Sequence, residues 1–112
     1  METYYCPHDL GRFPEVGRAC PELWAAFDAW YRQVFADGAL TEREKCLIAL
    51  GVAHAVQCPY CIDAYTRAAL EKGADLDQMT EAVHVSAAIR GGSSLVHGVQ
   101  MRAVAGKLGM AP

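Results

Sequence analysis

The chain has 112 residues, 53% of them hydrophobic and 21% charged, with a formal net charge of −3 and a pI near 5.7. That length supports one domain around a single core, and the apolar fraction excludes a disordered chain. No Lys/Arg cluster occurs, so nucleic acid is not an expected partner. The longest apolar run, Cys46 to Val56 with His54 inside it, falls short of the ~20 residues needed to cross a bilayer.

The first residues, METYYCPHDL, lack a basic stretch followed by an apolar one, so no signal peptide is expected and the cytoplasm is the expected compartment. Residues 1–20 carry Pro7, Gly11, Pro14 and Gly17 and read as an extended arm with one turn of helix, anchored by Tyr4, Tyr5 and Phe13. The helical domain is expected from residue 21 to 112.

Its first helix is expected over Pro21 to Ala36, with Pro21 in the opening turn and Gly38 past the end. Leu23, Trp24, Phe27, Trp30, Tyr31, Val34 and Phe35 recur at helical spacing and form one wide apolar face, read as core or subunit interface. The second helix opens at Thr41, where Thr41 and Glu44 form a T-x-x-E capping box, and runs to about Val56. Pro59 marks the break before a third helix, Pro59 to Lys72, which stops at Gly73. Asp75 and Asp77 both suit the cap of a fourth helix ending at Arg90, before Gly91 and Gly92. A fifth is expected from Ser94 to about Leu108. No alternating strand pattern occurs, so the class is all-α. The high apolar content for so short a chain points to surface covered by further subunits.

Five cysteines, an odd number without secreted-domain spacing, do not read as a disulfide framework. Two form Cys58-Pro-Tyr-Cys61 at the start of the third helix. At i, i+3 they share a face and can close a disulfide with little backbone motion. The helix start offers free N–H groups and the positive dipole end, which stabilise a thiolate and favour Cys58 as nucleophile. Such a pair can cycle between dithiol and disulfide, reducing a peroxide through a sulfenic acid or exchanging with a partner disulfide. Peroxide reduction also needs a proton acceptor, and His54, four residues before Cys58, is the local candidate. Glu44 is the acid on the same helix, although its capping duty explains it without chemistry. By helical phase it lies about 80° from His54. Cys46 reads as a buried small apolar residue, and Tyr60 and Tyr65 as walls of the site. His8, His84 and His97 read as solvated or packing residues.

The stretch EKCLIALGVAHAVQCPYCIDAYTRAALEKGA, with the later IRGGSSLVHG, resembles the alkylhydroperoxidase D / carboxymuconolactone decarboxylase family across about residues 21–108. Within it, the chain is similar to peroxidase-like proteins associated with arsenosugar biosynthesis. The resemblance implies an all-α bundle with the C-x-x-C at a helix N-terminus, assembled as a homotrimer or homohexamer. It implies reduction of small hydroperoxides through a Cys58–Cys61 disulfide, with Cys61 attacking and a protein thiol restoring the pair. No cofactor and no metal is expected. The chain departs from the family's proton relay twice. Cys46 stands where relatives carry a glutamate, twelve residues before the first cysteine, and Tyr65 where they carry a histidine, four after the second. Either His54 with Glu44 takes over the relay or the peroxidase activity is weak or lost. Two other functions fit the residues less closely. A lactone-type decarboxylase would need a basic cluster, which is lacking. A thiol site for a metal or arsenic(III) would draw on Cys46, His54, Cys58 and Cys61.

Overall fold

The computed structural model describes residues 5–110, all helical or connecting. Tyr4, one of the expected anchors of the arm, lies outside them. Four α-helices follow an N-terminal 3₁₀ segment, Pro7–Arg18: α1 (Pro21–Phe35), α2 (Glu42–Ala55), α3 (Pro59–Glu71) and α4 (Leu76–Lys107).

The arm is more ordered than its composition suggests. Twelve of its residues, Pro7–Arg18, form one 3₁₀ helix that lies against α1 and α3. Remote contacts hold it there. The ring of Phe13 meets that of Trp24 edge-on at 5.0 Å, Gly17 is buried against Trp24, and the Tyr60 hydroxyl donates to Asp9 at 3.1 Å. Phe13 and Tyr5 do anchor it, the ring of Tyr5 meeting that of Tyr60 edge-on at 4.8 Å.

α2 is the central helix and packs against both α3 and α4. Its capping box is complete: Thr41 Oγ1 accepts the Glu44 N–H at 3.1 Å and Glu44 Oε1 accepts the Thr41 N–H at 2.9 Å. The buried core is small and lies along α2, α3 and the start of α4, with Cys46, Leu50, Ala69, Ala74 and Met79 as its members. Leu50 is its one large, fully enclosed side chain.

Asp75, not Asp77, caps α4, in a second reciprocal box with Gln78. The expected break at Gly91-Gly92 does not occur, and the fourth and fifth helices are one helix of 32 residues. Glycine lowers helix propensity by about 1 kcal/mol but terminates a helix only where the chain turns to positive φ. Among the described glycines only Gly73 and Gly109 do so, each just past a helix end.

Candidate active site

The site is placed by the turn between α2 and α3. α2 ends in a Schellman arrangement: the Gln57 N–H returns to the His54 carbonyl at 3.2 Å and the Cys58 N–H to the Ala53 carbonyl at 3.0 Å. Gln57 takes the left-handed conformation, φ 57°, that glycine usually supplies there. This turn delivers Cys58 as the N-cap of α3, and Pro59, which has no N–H to satisfy, follows at the first helical position.

The two thiols meet there. Cys58 Sγ accepts the backbone N–H of Cys61 at 3.3 Å, and the two sulfurs are 2.7 Å apart. Both residues are free and half-buried. A negative charge on Cys58 is met by the Cys61 N–H and the positive end of the helix. Burial first, then the hydrogen bond to Cys58, then the charge on Cys58 push the Cys61 thiol up to about 11. The pair therefore holds its last proton tightly, between two sulfurs.

Two hollows converge on this pair. One is a cleft of about 560 Å³ beneath the 3₁₀ segment, walled by Asp9, Arg12 and Phe13 and by Cys58, Tyr60 and Cys61. The other is an apolar cavity of about 500 Å³ between α1, α2 and α3, lined by Trp30, Tyr31, Phe35, Ile48, Cys61 and Tyr65 among others. Cys61 lines both; Cys58 lines only the cleft. The aromatic face of α1 thus walls a cavity as well as packing. None of its residues is fully buried, and Trp30 is 61% exposed.

His54 lies on the last turn of α2, one turn before Cys58. Its Nδ1 donates to the Leu50 carbonyl at 2.8 Å, which leaves Nε2 as the nitrogen able to accept a proton. Among the described residues no hydrogen bond joins His54 to either sulfur. Glu44 is not brought to His54. It sits exposed at the opposite end of α2, ten residues or about 15 Å of helix away, and its carboxyl is held low by the Thr41 backbone and side-chain bonds. Cys46 is 5% exposed in the core, where burial raises its thiol. Tyr65 stacks on Phe35 at 5.1 Å and forms cavity wall. His8, His84 and His97 are exposed. No three His, Cys, Asp or Glu side chains among the described residues converge to hold a metal ion, so Cys46, His54, Cys58 and Cys61 are not gathered as one ligand set.

Tyr31 is the site residue that sequence spacing does not reveal, because α1 and the C-x-x-C meet only in the folded chain. Its hydroxyl makes no hydrogen bond within the described protein. Burial, then negative charge on Cys61, Cys58 and Cys46, raises it above the ordinary phenol value.

Known proteins share this frame. A protein of Paracoccus denitrificans described as uncharacterized protein 4 in the cox locus is 42% identical over 104 residues, covering 93% of this chain and 94% of that one. A crystal structure from Methanobacterium thermoautotrophicum superposes with a TM-score of 0.71 at 35% identity, covering 74% of this chain and 93% of that one. The apo form of a carboxymuconolactone decarboxylase family protein from Legionella pneumophila superposes with a TM-score of 0.69 at 28% identity, covering 83% and 84%. The family's sequence pattern matches residues 21–101, most of the chain and all of the cysteine site, and the protein belongs to the carboxymuconolactone decarboxylase family.

Proposed function

We propose that this protein is a thiol-dependent hydroperoxide reductase that cycles through a Cys58–Cys61 disulfide. The observation that carries this reading is the approach of the two sulfurs to 2.7 Å at a helix start. Cys61 is the attacking sulfur, since it alone of the two lines the apolar cavity. It becomes an anion by passing its proton to Cys58, and the more basic sulfur of a pair is the stronger nucleophile once deprotonated. His54 Nε2 takes the first proton that the pair releases. Attack breaks the O–O bond and leaves a sulfenic acid on Cys61. Cys58 then displaces hydroxide to close the disulfide, and an external dithiol protein reopens it. Glu44 serves the helix cap and not the relay.

Titration of free thiols before and after one equivalent of an alkyl hydroperoxide tests this. Two thiols per chain should disappear together, and peptide mass mapping should join 58 to 61. Cys58→Ser should abolish the paired loss, and His54→Gln should slow it about 10²-fold at neutral pH. Unchanged paired loss in Cys58→Ser would overturn the reading. The family name also raises a decarboxylase, whose activity would survive a double cysteine-to-serine change. The apolar cavity carries one cation, Lys45, and a lone ammonium is not the basic cluster that such chemistry wants.

A further inference from the structure

We propose that Tyr31 is the general acid of this site, giving its hydroxyl proton to the alkoxide that leaves when Cys61 attacks a hydroperoxide. This rests on the reading of the cysteine pair as a hydroperoxide reductase.

Reduction of a hydroperoxide by a thiolate expels an alkoxide, a strongly basic leaving group that departs readily only if protonated. The family's glutamate and histidine positions hold Cys46 and Tyr65 in this chain. Cys46 is buried in the core, and Glu44 is tied to its cap. That leaves the two hydroxyls on the cavity that Cys61 lines, Tyr31 and Tyr65, and the charge of Cys61 registers on Tyr31. Lys45, also on that cavity, reaches back to the Ala36 carbonyl at 2.6 Å. Tyr31 is half-buried on that cavity, and its hydroxyl has no acceptor within the described protein. Tyr31 and Cys61 line the same cavity, and negative charge on Cys61 acts on the phenol more than charge on Cys58 or Cys46 does. Its ring is set by Phe27 at 5.4 Å and Phe35 at 5.1 Å. Those contacts fix the ring and leave the hydroxyl unused.

The step balances. The pair begins with one proton, carried by Cys58 when Cys61 is the anion. The Cys61 sulfur bonds the terminal peroxide oxygen as the O–O bond breaks, giving Cys61 sulfenic acid and an alkoxide. Tyr31 protonates the alkoxide to the alcohol. The tyrosinate recovers its proton from Cys58, whose thiolate displaces hydroxide from Cys61 and forms the disulfide. Cysteine sulfur loses two electrons and the peroxide gains them.

The test compares leaving groups in single turnovers of the reduced full-length protein, following loss of both thiols. Tyr31→Phe keeps the ring and removes only the hydroxyl. With cumene hydroperoxide its rate should fall about 10²-fold or more. With peracetic acid, which expels acetate and needs no proton, it should hold the wild-type rate. Tyr65→Phe should show no such contrast. Equal loss on both oxidants would make Tyr31 a wall residue and overturn the proposal, as would no loss on either, or the contrast appearing in Tyr65→Phe instead. Wild-type protein inert to both oxidants would overturn the reductase reading itself and the role of Tyr31 with it.

Discussion

Every resolved influence on the Cys61 thiol opposes its anion: burial most, then the bond to Cys58, then the charge on Cys58. Replacing Cys58 by alanine removes the second and third causes and leaves burial. Cys61 should then titrate below about 11 yet above the ordinary thiol value of 9.0, and the pH profile of alkylation by iodoacetamide should move down accordingly. A profile that stays in place would show that the second sulfur does not hold the proton. The linkage to stability follows the same sign. Because folding raises this thiol, its contribution is present below pH 9 and is lost as pH climbs through about 11. At this scale the meeting of the two cysteines was legible in the sequence, since they are neighbours along the chain. Tyr31 was not. It lies thirty residues before Cys61, and only the packing of α1 beside α2 and α3 puts both on one cavity.

Among the helices, the α2–α3 turn does most to define the site. Sequence pointed to Pro59 as the break, but Gln57 in the left-handed region makes the turn and has no glycine signature to announce it. A β-branched side chain is costly in that region, so Gln57→Val should destabilise the fold by roughly 1–2 kcal/mol, whereas Gln57→Gly should stabilise it. Thermal unfolding of the two variants checks the pair; a Val variant as stable as wild type would show that the turn relaxes. The capping boxes at Thr41 and Asp75 were readable because they are local. The continuity of α4 through Gly91-Gly92 was not, since two poor helix formers in a row look like a stop and propensity alone does not decide.

Across the whole molecule, the single chain leaves a large apolar surface uncovered. Its radius of gyration is 19.4 Å, against about 13 Å for a compact domain of this size. The second half of α4 exposes Leu95 at 81%, Val96 at 64% and Val99 at 66%. Isolated soluble chains rarely present so much contiguous apolar surface. Sedimentation should therefore give a mass at least twice the 12.1 kDa of one chain. Val99→Asp should shift it toward the single chain while leaving the helical content intact. A wild-type monomer at micromolar concentration would overturn this expectation.

Local sequence alone set α1 to α3, the capping boxes and the cysteine pair at a helix start, because hydrogen bonds and helical phase act over three or four residues. It also carried the family pattern. Tertiary structure decided that Cys61 opens onto an aromatic cavity, that Glu44 stays at the far end of α2, and that the arm coils against Trp24 and Tyr60. Those outcomes depend on which distant side chains share one space, and no spacing along the chain encodes that.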